Sequence, residues 1–163
     1  MQLTLTELRK LQAQLDARIF TLHNVTREST RLDRCLALSV EIGELANETR
    51  CFKYWSVRPS SGKDVLLEEL EDSVHFLLSL GIDLDDQNEI IAAEADDRDL
   101  SLIFLDFYHA ASRLTQQFDL KNYRACFTYV CILADRLGFS ENDLIDYYLR
   151  KNQKNHQRQD QNY

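Results

Sequence analysis

The sequence predicts an all-α fold, a bundle of five or six helices. Only four Gly and one Pro interrupt its 163 residues, and apolar residues recur over long stretches with the 3.6-residue period of amphipathic helices. Hydrophobic residues make up 44% of the chain and charged residues 28%, which is the balance of a globular protein. Because no linker or internal repeat divides the chain, we expect a single domain over residues 1–163.

The first half is predicted to form three helices. The first runs from about Thr4 to His23 and begins with a capping box of Thr4 and Glu7. The second spans about Arg31 to Trp55, and the segment SVRPSSGK, which holds the only Pro, forms the loop after it. The third covers about Asp64 to Leu80 and ends at Gly81, since glycine suits the position after a helix.

The second half is predicted as further helices joined by short breaks. The stretch IDLDDQNEIIAAEADDRDLS is interpreted as a short helix, a break within ADDRD and a longer helix through about Gln117. The next helix runs from about Lys121 to Leu137 and ends at Gly138. Ser140, with Asp143 three residues on, caps a last helix that continues through YYLRKNQKNHQR.

Charge and hydropathy exclude several classes of protein. A formal net charge of −8 disfavours a general nucleic-acid binder. The N-terminus is charged from Glu7 onward, and no run approaches the roughly 18 apolar residues of a membrane helix, so we expect a cytoplasmic protein without a membrane span. The four cysteines form no C-x-x-C pair and are expected to be buried free thiols.

Two of the predicted helices each carry a pair of acids three residues apart inside an apolar run. The second helix has Glu41 and Glu44, and the third has Glu69 and Asp72. At helical spacing Glu41, Glu44 and Glu48 form one stripe beside the apolar sector of their helix. Carboxylates are rarely buried without a partner, so these acids are expected to hold something.

The third helix separates these acids from a second acidic face. Glu68, Glu71 and His75 fall on one side and are predicted to face solvent, whereas Glu69 and Asp72 lie among or beside apolar residues. No Lys or Arg lies within the faces that carry the two acid pairs. Four carboxylates brought together would therefore need cations, and oxygen ligands favour Mg²⁺ or Mn²⁺ over zinc.

A di-iron centre is the rival metal site. Asp72 precedes His75 by three residues, and Asp106 precedes His109 by three, which is similar to the carboxylate-x-x-His pairs of ferritin-like bundles. That motif requires Glu and an inward His, whereas His75 is predicted on the solvent side. Both histidines are therefore expected at the surface or the edge of the core.

The C-terminal segment RKNQKNHQR carries four basic residues and no acid. A locally basic end on an acidic protein suggests a site where acids grip metal-bound phosphate from one side and basic residues grip it from the other.

The acid pairs resemble the signature of the all-α nucleoside triphosphate pyrophosphatases, which include the MazG-like enzymes and the dimeric dUTPases. That signature is E-x-x-E on one helix and E-x-x-D about 25 residues later, with a Lys between, here Lys63. The segments CFKYW, DSVHF and KNQKNHQRQDQNY narrow the resemblance to the dimeric dUTPases of phage and Gram-positive bacterial type. It covers nearly the whole chain.

The resemblance implies a homodimer that uses Mg²⁺ to hydrolyse dUTP to dUMP and pyrophosphate, with dUDP as a further candidate substrate. The implied Mg²⁺ ligands are Glu41, Glu44, Glu69 and Asp72, with Glu48 as an additional candidate. Glu44 or Glu69 is the candidate general base, and the sequence does not choose between them.

The resemblance also implies the substrate contacts. Gln12 and Asp16 match polar positions that read the base, although related sequences often have Asn where this chain has Asp16. Trp55 would help form the uracil pocket, whereas the residue pattern alone favours an aromatic that caps the core. The remaining implied contacts, which include the C-terminal segment that closes over sugar and phosphates, are Lys63, Lys151, Asn152, Asn155, Arg158 and Tyr163.

Two alternatives stay open at this point. One is a MazG-like pyrophosphatase for another nucleotide, such as dCTP or a non-standard one. The other is a catalytically silent helical module that binds a regulatory protein; the intact acids and C-terminal segment argue against it.

Overall fold

The computed structural model describes residues 1–161, and within them it is an all-α bundle with one small sheet. This confirms the predicted fold class. The elements in chain order are β1 (Gln2–Thr4), α1 (Thr6–His23), α2 (Arg31–Thr49), α3 (Lys63–Asp83), β2 (Ile90–Ala92), α4 (Leu100–Gln116), α5 (Leu120–Leu137) and α6 (Glu141–Asp160).

Helix α3 lies at the centre of the bundle and packs against α1, α2, α5 and α6. It is buried along nearly its whole length, because apolar residues such as Leu70, Val74 and Leu77 occupy successive turns and are fully inaccessible to solvent. Its packing against α2 places the two acid-bearing helices side by side. Its packing against α6 covers a second face, the one that carries Glu71 and His75.

The N-terminus forms a strand where the sequence predicts the start of a helix. Thr4 lies in β1 and is not a cap: its backbone N–H and its hydroxyl both donate to the Glu141 carboxylate, at 2.8 and 2.7 Å. The short helix predicted after Gly81 is also wrong, because that region forms β2. The two strands pair antiparallel with Leu3 opposite Ile91, and both side chains are buried. This long-range pairing outweighs the local pattern.

Several helix ends differ from the prediction. Helix α2 stops at Thr49, where Arg50 takes a left-handed conformation (φ 59°), instead of reaching Trp55. Helix α3 continues through Gly81 to Asp83. Gly81 serves packing here, since a Cβ at this position would lie 2.2 Å from the buried hydroxyl of Tyr123.

The predicted ends of the last two helices are confirmed. Gly138 follows α5 with φ 77°, and Ser140 caps α6 in a reciprocal capping box with Asp143. All four cysteines are free: three are buried, and Cys51 is half-buried. Among the described residues, no helix combines the length and the apolar character needed to cross a bilayer.

Candidate functional site

Three of the predicted acids meet where α2 packs on α3. One carboxylate oxygen from each of Glu41, Glu69 and Asp72 lies within 4.8 Å of the other two. Glu41 Oε2 is buried and has no hydrogen-bond partner within residues 1–161. An oxygen-only cluster with an orphaned buried acceptor fits a hard divalent cation such as Mg²⁺ or Mn²⁺.

Crowding of acids changes the proton affinity of this cluster. Burial, reinforced by the charges of Asp72 and Glu44, raises the pKa of Glu41 to about 8. Burial and the charges of Glu44 and Asp72 likewise raise the pKa of Glu69 to about 7. Both carboxyl groups therefore resist ionisation in the absence of a cation, and a bound divalent ion would relieve that resistance.

The other two candidate ligands lie at the rim of the cluster. Glu44 is exposed and is not among the three converging acids, yet its negative charge raises the pKa of both Glu41 and Glu69. Glu48 accepts a hydrogen bond from the Ser61 hydroxyl, which ties it to the loop before α3. The negative charge of Glu48 also raises the pKa of Glu69.

A protein cation reaches the cluster, which the sequence did not lead us to expect. The Lys151 ammonium on α6 donates to Asp72 Oδ2 at 3.0 Å and to Glu68 Oε1 at 2.9 Å, and the lysine is buried. Within each of the two helices, the face that carries the acid pair lacks a Lys or Arg, as expected. In the folded chain, however, α6 brings the Lys151 ammonium to Asp72. Burial nevertheless raises the pKa of Asp72 above its ordinary value, against the opposing effect of Lys151.

The predicted solvent face of α3 is wrong for two of its three residues. Glu71 is fully inaccessible to solvent, and His75 is buried, because α6 covers this side of α3. Burial raises the pKa of Glu71 well above its ordinary value and lowers the pKa of His75 to about 3. Glu68 is partly exposed and pairs with Lys151.

The di-iron alternative finds no support in this geometry. His75 does point inward, but its Nδ1 lies 2.8 Å from Gln12 Oε1. The cluster of candidate metal ligands found within residues 1–161 consists of three carboxylates and no imidazole. His109 is exposed on α4, as expected for a surface histidine.

A cavity of about 340 Å³ opens beside the acid cluster. It brings together side chains from α1, α2, α3 and α6 that lie far apart in the sequence. The site residues predicted from the sequence that line it are Gln12, Asp16, Glu41, Asp72, Lys151, Asn155 and Arg158.

The cavity wall also holds residues that the sequence analysis did not propose as contacts. Phe76 and His75 line it from α3, and Phe20 lines it from α1. The signal for the two α3 residues was the segment DSVHF, which begins at Asp72 and ends at Phe76; Phe20 had none. His75 was assigned to the solvent side, so its place in the wall was missed.

One polar side chain in the cavity wall is held by three hydrogen bonds from protein groups. Asp16 is buried and accepts from Gln12 Nε2 at 2.8 Å, from the Ser79 hydroxyl at 2.6 Å and from Arg27 Nη2 at 3.0 Å. On its other side, Gln12 Oε1 lies 2.9 Å from the Tyr148 hydroxyl. These bonds fix the polar end of the cavity.

Four predicted substrate contacts do not line this cavity. Trp55 lies exposed on the loop after α2, edge-to-face with Tyr54, and Lys63 begins α3 with its ammonium 3.4 Å from Gly138 O. Asn152 is buried in α6. Tyr163 lies outside the described residues. These four assignments stay predictions.

Comparison with known proteins supplies an independent observation. A family model described as dUTPase matches residues 4–163. The match includes every predicted site residue. A search of curated proteins finds no match to this chain.

Proposed function

Because the chain belongs to the all-α dUTPase family and is thereby a dUTP diphosphatase, we propose that it hydrolyses dUTP to dUMP and pyrophosphate in a reaction that depends on Mg²⁺. The observation that carries the metal dependence is the convergence of Glu41, Glu69 and Asp72 beside a cavity with a basic wall. Mn²⁺ is the alternative cation. A cytoplasmic location remains part of the proposal.

The acid side of the site supplies metal ligands and a proton acceptor. Glu41, Glu69 and Asp72 would hold the cation, with Glu44 and Glu48 completing its surroundings from the rim. When bound, Mg²⁺ neutralises phosphate oxygens and makes a bound water more acidic. Glu44 or Glu69 takes the proton from the attacking water. The charge of Glu44 raises the pKa of Glu69, and Glu69 is the less exposed of the two.

Helix α6 supplies contacts for the nucleotide. Lys151, Asn155 and Arg158 line the cavity from α6, and Lys151 lies beside the acids through its bond to Asp72. A guanidinium binds phosphate oxygens in a bidentate way, so Arg158 is our candidate phosphate clamp. Gln12 and Phe76 line the same cavity and would contact the base, Phe76 by stacking on its ring.

We also propose that the protein is a homodimer. Helices α2 and α4 pack together and leave a row of large apolar side chains exposed, namely Leu32, Leu36, Val40, Leu102 and Leu105. Several exposed apolar side chains on two neighbouring helices are typical of protein interfaces. The exposed Trp55 lies on the loop that follows α2, and we propose that it serves the neighbouring subunit's site.

The test is pyrophosphate release from a panel of nucleotides with Mg²⁺. We expect dUTP to be the preferred substrate, and equal rates on dUTP and dTTP would refute the assignment. Including dCTP and dUDP decides between this activity and that of a sibling pyrophosphatase. Glu41→Gln should lower turnover by more than about a hundredfold, beyond the loss typical of residues that only support a ligand.

Glu94→Gln is the matched control, because Glu94 is exposed after β2 and belongs neither to the lining of the cavity nor to the three converging acids. It should keep full activity. If neither Mg²⁺ nor Mn²⁺ supports hydrolysis of any nucleotide, the silent binding module becomes the better interpretation. If Glu41→Gln retains full activity, the metal assignment is wrong.

A further inference from the structure

A chain of buried hydrogen bonds connects Asp16 to His75 through Gln12. A carboxylate only accepts hydrogen bonds, so the Gln12 atom 2.8 Å from Asp16 Oδ1 is the amide nitrogen. The Gln12 carbonyl oxygen must then point the other way, and it lies 2.8 Å from His75 Nδ1. Asp16 thus fixes the orientation of the Gln12 amide.

The orientation of Gln12 in turn fixes the proton on His75. A carbonyl oxygen only accepts, so His75 Nδ1 carries hydrogen and donates to it. Burial lowers the pKa of His75 to about 3, so the ring is neutral near pH 7 and has a single N–H. Tyr148 stacks on the ring at 4.3 Å between centroids and holds its plane.

The remaining ring nitrogen is therefore an acceptor. His75 Nε2 is buried and has no hydrogen-bond partner within residues 1–161. His75 is also one of the side chains that line the cavity. A buried acceptor without a partner is costly, and a ligand N–H would satisfy it.

We propose that Asp16 is a positioning residue that acts through Gln12 to hold His75 in the Nδ1–H tautomer, so that His75 Nε2 accepts a hydrogen bond from the bound base. The inference rests on the proposed function in that the base is taken to be uracil. It gives a role to a buried carboxylate in the cavity wall whose three hydrogen bonds all come from protein groups.

The consequence is discrimination between uracil and cytosine. Uracil carries hydrogen on N3 and can donate to Nε2, whereas the N3 of cytosine is itself an acceptor. Two acceptors facing each other leave both unsatisfied. Thymine has the same N3–H as uracil, so this contact does not separate those two bases.

Asp16→Asn is the variant that tests the chain. An Asn amide can present its NH₂ group to Gln12, which lets the Gln12 amide turn round and present its own NH₂ group to His75. The Nε2–H tautomer then becomes accessible. We expect ¹⁵N NMR of histidine-labelled protein to show Nδ1–H in the wild type and a population of Nε2–H in the variant, with His75→Gln identifying the signals.

Binding of the free nucleosides gives the second readout and needs no metal. Calorimetry should show the preference of the wild type for deoxyuridine over deoxycytidine fall about tenfold in Asp16→Asn, with the ratio of deoxyuridine to thymidine unchanged. Ser79→Ala is the matched control: it removes another bond to Asp16 and leaves the Gln12 contact, so tautomer and preference should stay as in the wild type.

Two results would overturn the inference: an Nε2–H tautomer in the wild type, or an Asp16→Asn protein with an unchanged tautomer and unchanged preference. If Asp16→Asn does not fold, Gln12→Met breaks the same chain and should release the tautomer. Wild-type turnover of dUTP is measured in parallel. Its absence would refute the proposed function, and the NMR result would still decide the role of Asp16.

Discussion

Lys151 and Asp72 form an ion pair between α6 and α3, with 3.0 Å between Nζ and Oδ2. Asp72 is also one of the three acids that converge as a candidate metal site. The lysine therefore stands beside a carboxylate that a divalent cation would also use. Glu68, whose Oε1 lies 2.9 Å from the same ammonium, can keep Lys151 paired when Asp72 turns to a metal.

We predict that Lys151→Met binds Mn²⁺ more tightly than the wild type in the absence of nucleotide. Removing the ammonium takes away a competitor for Asp72 and makes the cluster more negative, and about a tenfold gain is expected. Electron paramagnetic resonance of free Mn²⁺ measures it. Arg150→Met removes the same charge from an exposed position on α6 and should leave Mn²⁺ affinity near the wild-type value. Equal affinities in the two variants would contradict the competition.

The metal-free protein should lose stability as pH rises from about 6.5 to 8. Glu41 and Glu69 ordinarily ionise near 4.5, but their pKa values in the folded protein are about 8 and about 7. In this range the folded state binds more protons than the unfolded state, so the free energy of unfolding falls with pH. The lowered pKa of His75 acts in the opposite direction chiefly below its ordinary value of 6.5 and fades above it.

Urea denaturation in EDTA measures how the free energy of unfolding declines with pH. The raised pKa of Glu71 makes the decline steeper. Glu41→Gln should make it shallower because one of the titrating groups is gone. Saturating Mg²⁺ should offset the decline, because the cation binds the ionised acids of the folded state. A flat profile in EDTA would show that the acids do not crowd one another as described.

Gly81→Ala is expected to destabilise the fold by roughly 1–3 kcal/mol, the usual cost of overpacking a core. The new Cβ would lie 2.2 Å from Tyr123 Oη and 2.5 Å from Cζ, and Tyr123 is fully buried. The free energy of unfolding from urea titration tests this. Gly62→Ser is the control, since that position has open space and serine is a favourable helix cap. Equal stability of Gly81→Ala and the wild type would contradict the close approach.

Leu36→Lys should dissociate the proposed homodimer. Leu36 is 66% exposed in the middle of the apolar row on α2, and a buried lysine without a partner is unfavourable at an interface. Sedimentation velocity over a range of concentrations measures the change. Leu22→Lys makes the same substitution at a 53% exposed site near the end of α1 and should leave the dimer intact. A wild-type protein that sediments as a monomer throughout would refute the dimer.

The sequence predicted which faces of α2 and α3 carry the acids better than it predicted what covers the other faces. The spacing of Glu41, Glu69 and Asp72 placed each on the inner side of its helix, because the helical period depends only on nearby residues. The same period assigned Glu71 and His75 to solvent, and there it failed. Periodicity separates the faces of a helix but does not say which faces a distant helix will cover, and α6 covers this one.

The sequence by itself determined the helical class of the protein, the two acid pairs, the ends of the last two helices and the resemblance to the dUTPase family. These rest on local spacing, on capping chemistry and on motifs that can be read without coordinates. The tertiary structure alone decided that Lys151 pairs with Asp72, that the N-terminus forms a strand, and that Asp16 accepts a hydrogen bond from Ser79. Each joins residues distant in the chain, and their proximity follows from how the helices pack.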